Sequence, residues 1–280
     1  MKLFKKNNKL YLRFKGKCYT RKEIDFNWLI NRVGLHDFIL NNINEWDECD
    51  FPSFDSLDPP LGNQEIWAAG VTYMRSREAR MHEAKDSGGD RFYDMVYYAD
   101  RPELFYKGNH YRCAGHNQIV HIRDDSYWNV PEPELTLFIS SSKTIEGYTI
   151  GNDMSSRSIE GENPLYLPQA KVYNRSSSLG PCLYIPKEPI SPDTLIKIKI
   201  IRNQNNILYQ DQVSISKMKR KPMELADYLF RNQSFDDGVF LMTGTCLVPD
   251  EDFTLSKSDK IEISIENIGT LVNFVTQKSD

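Results

Sequence analysis

A mainly β fold with short helices, an α+β arrangement dominated by sheet, is predicted by three features of this 280-residue sequence. Most apolar runs are short and rich in Val, Ile, Tyr and Thr; Gly, Asn, Asp or Pro bounds them; and few stretches sustain a helical period. With 40% hydrophobic residues the chain can bury a real core, and its length accommodates one large domain with a small appendage.

Taken in order, the first 20 residues alternate polar and apolar around Asn7-Asn8, which predicts a short hairpin. Asp25 to Ile43 carries Trp28, Leu29, Val33, Leu35, Phe38 and Ile39, spaced for one or two helical turns broken at Gly34. From Asp50 to Asn63, Pro52, Pro59, Pro60 and Gly62 stand among acidic and serine residues and favour extended loop. A boundary there gives a small N-terminal domain over residues 1–60 and a larger one over 61–280. In the larger part, strands are predicted at 66–71, 118–122, 135–140, 148–150, 183–185, 195–202, 239–243 and 260–265. Helices are predicted from Arg75 to Lys85 and from Pro222 to Arg231, the second opening on a proline at a tolerated first-turn position.

Charge and cysteine usage narrow the function classes. Thirty-five basic and 39 acidic side chains leave a net charge of −4 with no long single-sign run, so no nucleic-acid or membrane surface is indicated and the expected partner is a small molecule. Cys18, Cys49, Cys113, Cys182 and Cys246 are scattered without CxxC spacing and read as reduced thiols in a cytoplasm. Lys and Asn interrupt the apolar residues of the basic amino terminus, which lacks a signal-peptide core. No run approaches the roughly 20 apolar residues of a membrane span.

Chemistry begins at Pro131-Glu132-Pro133-Glu134. Residues two apart on a strand share a face, so both carboxylates point one way while Leu135, Leu137 and Ile139 take the opposite, buried face. Two anions held side by side call for a cation or a proton, and hard oxygen ligands suit Mg²⁺, Mn²⁺ or Ca²⁺. A solvent-facing strand edge is the plainer reading of that pair alone. Asp153, after Tyr148-Thr149-Ile150 and a Gly-Asn turn, places a third carboxylate at the exit of a neighbouring strand, where it would also serve as a helix cap. If residues 154–162 are helical, Arg157 and Glu160 share a face with Asp153. Lys171 follows a proline-bound loop, 163–168, too irregular for a helix.

Together these residues resemble the fumarylacetoacetate hydrolase superfamily. The likeness rests on the Glu-x-Glu pair, Gly147-Tyr-Thr-Ile-Gly-Asn-Asp153, Ser155-Ser-Arg157, Lys171, Gly180-Pro181, Asp237-Gly-Val-Phe-Leu-Met-Thr-Gly-Thr245 and Ile265-Glu-Asn-Ile-Gly-Thr-Leu271, and covers roughly residues 64–275. It implies a mixed β-roll catalytic domain behind a small amino-terminal one, in a homodimer or homotetramer. It also implies Mg²⁺ held by Glu132, Glu134 and Asp153, with Lys171 as active-site lysine. Arg157 would orient the metal site, and Thr243, Gly244 and Thr245 would border the substrate. Within the superfamily, Arg112-Cys-Ala-Gly-His116, Trp128-Asn-Val-Pro-Glu-Pro-Glu134 and the stretch from Glu160 to Lys171 look like the dehydratases of 2-keto-3-deoxy pentonates, which adds His116 as a substrate contact.

The expected activity is therefore a hydro-lyase on a small 2-oxo acid in sugar-acid catabolism, yielding 2-oxoglutarate semialdehyde. The alternative is hydrolysis or decarboxylation of an acylpyruvate-like acid at the same metal. Many hydrolytic members carry a histidine soon after the segment matching Gly70 to Tyr73 and a glutamine at the position of Glu160; this chain has Met74-Arg-Ser-Arg-Glu78 and a carboxylate. Glu160 is then a candidate proton carrier, and Lys171 either a base or a steadying charge. Glu78 and His82, four apart, could rebuild a Glu-His dyad, although a solvated helix face explains them as well. Met81 to Asp100, polar around Gly88-Gly89, fits a mobile lid, a surface insertion or a subunit contact.

Overall fold

The computed structural model describes all residues except 54, 84–89 and 278–280. Its strands are β1 (Lys2–Lys6), β2 (Lys9–Phe14), β3 (Lys17–Arg21), β4 (Asp47–Cys49), β5 (Glu65–Gly70), β6 (Glu103–Gly108), β7 (Cys113–Ala114), β8 (Gln118–Ile122) and β9 (Asn129–Val130). There follow β10 (Pro133–Ile139), β11 (Ile145–Asp153), β12 (Ser155–Ser156), β13 (Ser177–Tyr184), β14 (Leu195–Arg202), β15 (Asn206–Ser214), β16 (Val239–Met242), β17 (Lys260–Ile265) and β18 (Gly269–Gln277). The α-helices are α1 (Phe26–Ile30), α2 (Leu35–Asn41), α3 (Met74–Glu83), α4 (Asp90–Tyr98), α5 (Arg157–Glu162), α6 (Leu167–Lys171) and α7 (Pro222–Leu229).

Two sheets carry the architecture. The larger runs β4-β3-β2-β1-β13-β11-β10-β16-β5-β6, with β7 alongside β13, and the smaller runs β15-β14-β17-β18-β8. Strand β10 explains how they pack: its side chains alternate between two cores, so it is buried on both faces. Leu135, Leu137 and Ile139 enter a core shared with Ile196, Ile198 and Ile200 of β14 and Ile261 and Ile263 of β17. Phe138 enters the other, with Phe240 of β16, Leu10 and Leu12 of β2, and Leu29 and Leu35 of the first two helices. Each such aliphatic side chain contributes about 1.5–3 kcal/mol by leaving water.

The predicted hairpin at Asn7-Asn8 forms, both asparagines adopting positive φ, and β3 extends it to a meander. The helix pair broken at Gly34 forms as expected, Asp25 capping the first by accepting from the Trp28 N–H. Lys2 and Leu3 pair with Tyr184 and Leu183, so the large sheet runs without interruption from the first fifty residues into the rest of the chain. Three strands of six or more residues escaped the sequence reading: β6, β15 and β18. Their runs mix charged, amide and apolar residues because each has one face against solvent or against the site.

The segment 81–100 is largely helical where it is described, α3 ending at Glu83 and α4 starting at Asp90; Gly88-Gly89 and Lys85 lie outside the described residues. Tyr93 and Tyr97 of α4 are buried with Val71, and Arg220 donates to the carbonyls of Val96, Ala99 and Asp100.

Candidate active site

The register of β10 against β11 assembles the carboxylates. Glu134 pairs with Gly151 and Pro133 with Asn152, which sets Asp153 beside Glu132, and the Asp153 N–H donates to the Glu132 carbonyl at 3.0 Å. One carboxylate oxygen from each of Glu132, Glu134 and Asp153 lies within 4.8 Å of the others, and all three side chains are buried. The solvent-facing strand edge is thereby excluded.

Two local expectations are corrected. Asp153 ends a strand instead of sharing a helix with Arg157: α5 starts only at Arg157, and its cap is the Ser156 hydroxyl, which accepts from the Ile159 N–H at 3.4 Å. Lys171 is helical, the last residue of α6, because Pro168 falls in the first turn, where a missing N–H costs nothing. Neither change scatters the group. Arg157 Nη2 donates to Glu132 Oε1 at 2.6 Å, and Lys171 Nζ donates to Glu132 Oε2 at 2.7 Å, Asp153 Oδ2 at 3.2 Å and Ser155 Oγ at 2.5 Å. Glu160 lies 3.6 Å from the same ammonium.

Three further charged residues surround the cluster that sequence reasoning did not single out. Arg80 of α3 pairs with Glu160 and lies 3.8 Å from Glu132. Glu103 and Lys107, four apart on β6, share the face that carries Phe105, whose ring centroid is 5.7 Å from Lys171 Nζ. Lys107 Nζ pairs with Asp153 Oδ1 at 2.6 Å. The signal was the period-two spacing Glu103, Phe105, Lys107, visible only once that run is taken as a strand.

Electrostatics follow from burial and these partners. Burial pushes the Glu132 carboxyl up, but Lys171, Arg157 and Arg80 outweigh it and hold the group well below the usual carboxylate range. Glu134 is driven the other way, first by burial and then by Asp153 and Glu132, to well above that range. Burial also raises Glu103, with Arg80 opposing. Lys171 is favoured as an ammonium because Asp153, Glu132 and Glu160 overcome the cost of its burial.

Gly244 takes a positive φ of 92° that aims its N–H at Glu134 Oε2, 2.5 Å away; a Cβ there would strike the Thr72 hydroxyl. Gly70 likewise leaves room for the Glu103 carboxylate. Gly244 and Thr245 line the void between the charged groups, whereas Thr243 fixes the turn, its hydroxyl donating to the Leu135 carbonyl at 2.9 Å. His116 is not brought to the void: its Nδ1 accepts from the Val272 N–H at 3.3 Å, beside β18. His82 is exposed and pairs with Glu251, away from Glu78.

The void itself measures about 10 Å³, ion-sized or water-sized. Ser76 also lines a neighbouring cavity of about 470 Å³, together with Arg75, Trp128, Cys246 and Pro249. Three buried carboxylates, one of them pushed toward protonation by burial and then by its neighbours, and an ammonium already acting as counter-charge make a donor set that fits a hard divalent cation.

The profile of the fumarylacetoacetate (FAA) hydrolase C-terminal domain matches residues 81–276. The chain belongs to the fumarylacetoacetate hydrolase family. Within the family, a probable 2-keto-3-deoxyxylonate dehydratase of Haloferax volcanii is 46% identical over 217 residues, covering 78% of this chain and 74% of that one. A 2-dehydro-3-deoxy-D-arabinonate dehydratase of Saccharolobus solfataricus is 41% identical over 224 residues, covering 79% and 74%. Among solved structures, a 2-keto-3-deoxyarabinonate dehydratase superposes over the whole of both chains with a TM-score of 0.87 at 33% identity. A 2-keto-3-deoxy-D-arabinonate dehydratase complexed with magnesium and 2,5-dioxopentanoate does so with a TM-score of 0.85 at 32% identity. The β-roll expectation from the sequence agrees with these matches. Among the described residues no helix is long and apolar enough to cross a membrane.

Proposed function

We propose that this chain is a Mg²⁺-dependent hydro-lyase that dehydrates a 2-keto-3-deoxy pentonate to 2,5-dioxopentanoate, the semialdehyde of 2-oxoglutarate. The observation that carries the proposal is 46% and 41% identity to two dehydratases of that substrate class. It is supported by the likeness to the structure complexed with magnesium and 2,5-dioxopentanoate.

Glu132, Glu134 and Asp153 are the proposed ligands of Mg²⁺, with Mn²⁺ or Ca²⁺ as substitutes. When bound, the cation supplies a Lewis acid that a 2-oxo acid chelates through its carboxylate and C2 carbonyl, which acidifies C3. The protein must then move two protons, one off C3 and one onto the departing C4 hydroxyl. Glu103 is the proposed donor to C4, since burial raises its carboxyl above the ordinary range and so favours the protonated form. Glu160, ion-paired to Arg80 and 3.6 Å from Lys171, is the proposed carrier for the C3 proton. Lys171 stays charged and faces the oxygen on which negative charge develops, a role that needs no proton transfer from it. Arg157 holds Glu132 in place. Gly244 and Thr245 border the substrate, with Thr243 fixing their turn.

Against the hydrolytic alternative, among the described residues His82 pairs with Glu251 at the surface and does not form the Glu78-His82 dyad that could activate water. The proposed working form is a cytoplasmic homodimer or homotetramer. Support comes from the free thiols and from Phe92, Met95 and Tyr98, an exposed apolar stripe along α4. The functional test is incubation of the purified protein with Mg²⁺ and each 2-keto-3-deoxy pentonate, coupled to a semialdehyde dehydrogenase. Reduced nicotinamide forming with a pentonate supports the proposal; pyruvate released from an acylpyruvate, with no response to the pentonates, sinks it.

A further inference from the structure

We infer that Lys107 is a positioning residue: one buried ammonium sets the orientation of the metal ligand Asp153 and the placement of Lys171. The inference rests on the metal-site reading above. Lys107 stands on the site-facing side of β6 and is fully buried. Its Nζ meets three acceptors: Asp153 Oδ1 at 2.6 Å, the Met154 carbonyl at 2.9 Å, and the Lys171 carbonyl. The ammonium donates to the two carbonyls and holds Asp153 Oδ1 as its ion-pair partner. The Tyr173 ring, with its centroid 5.9 Å from Nζ, covers another side.

Each contact fixes something different. The first holds Asp153 by one oxygen and leaves Oδ2 toward Lys171, 3.2 Å away. The second anchors the backbone where β11 ends. The third anchors the last residue of α6, which carries the Lys171 side chain. Ligand and lysine, 18 residues apart in sequence, are thus tied to one atom. Loss of Lys107 would free the Asp153 carboxylate to rotate and uncouple the end of α6 from the end of β11.

The sign of the effect on metal binding separates this role from a simple electrostatic one. Lys107 is a cation beside a cation site, so by Coulomb's law alone its removal tightens Mg²⁺ binding. Positioning predicts the opposite, since outer partners of metal ligands typically contribute 10–100-fold in affinity. The experiment is calorimetric titration of Mg²⁺ into wild type, Lys107→Met and Lys107→Gln, with folding checked by circular dichroism. A dissociation constant about 10–100-fold weaker in folded Lys107→Met is expected, with Lys107→Gln intermediate. Unchanged or tighter binding in the folded variants overturns the inference, including a merely structural role that lowers the melting temperature alone. Wild type that binds no Mg²⁺ refutes the metal-site reading itself. If neither variant folds, the Mg²⁺-bound crystal structure of the wild type decides: Asp153 Oδ1 still on Lys107 supports the role, and an Asp153 carboxylate released from Lys107 overturns it.

Discussion

Replacing Lys171 with methionine removes an ammonium that lies 2.7 Å from Glu132, 3.2 Å from Asp153 and 3.6 Å from Glu160, all in the interior. Methionine is close to lysine in volume, so the loss is electrostatic more than steric. Breaking a buried ion pair from one side costs about 3–5 kcal/mol, because the partner charge stays behind. At about 2–4 °C per kcal/mol for a chain of this size, the metal-free variant should melt on the order of 10 °C below wild type. Mg²⁺ should act in the opposite sense. Without a competing ammonium the carboxylates bind it more tightly, and a ligand at about 100 times its dissociation constant adds roughly 2.7 kcal/mol. Differential scanning calorimetry in EDTA and then in Mg²⁺ reads both effects. A metal-free melting temperature equal to wild type, or a smaller Mg²⁺ shift in the variant, would refute the counter-ion role of Lys171.

Three further outcomes follow from the site. Glu103, raised by burial, donates only while protonated, so turnover should fall as pH rises through its elevated pKa; Glu103→Gln should cost about 10²–10⁴-fold in kcat and erase that alkaline limb, as pH–rate profiles would reveal. Glu160→Gln should lower kcat over a similar range of about 10²–10⁴-fold, and wild-type turnover of a pentonate by that variant would remove Glu160 from the mechanism. Glu134 has a folded pKa above its unfolded one, so in metal-free protein its ionisation subtracts stability as pH rises from about 4.3 toward the folded value. Glu134→Gln should therefore be more stable than wild type at pH 7 in EDTA yet lose its Mg²⁺-induced stabilisation, both measurable by thermal melts.

The carboxylate triad was legible because short-range periodicity determines it: Glu132 and Glu134 are two apart at the start of β10, and the turn at 140–144 brings β11 back antiparallel, with Gly151 and Asn152 in the strand rather than in the expected turn and Asp153 at its end. Strands with two apolar faces or strict alternation, such as β10 and β17, were equally plain. Residues recruited from afar were not. Glu103 and Lys107 lie on a strand whose inward face is charged because it meets the carboxylates, so the alternation that marks a strand is inverted there. Arg80 sits in a polar helix, where nothing local distinguishes a buried arginine from a solvated one. His116 illustrates the converse: its sequence neighbourhood fits the family, while its ring is engaged by the backbone of β18.

The central claim is that these carboxylates and Lys171 serve dehydration. Its most direct test is to follow 2-keto-3-deoxy-arabinonate and 2-keto-3-deoxy-xylonate by carbon NMR in the presence of the purified protein, with Mg²⁺ and then with EDTA. At least one pentonate should be converted to 2,5-dioxopentanoate with Mg²⁺ and none after chelation; neither pentonate consumed with Mg²⁺, or equal conversion in EDTA, would contradict Mg²⁺-dependent dehydration.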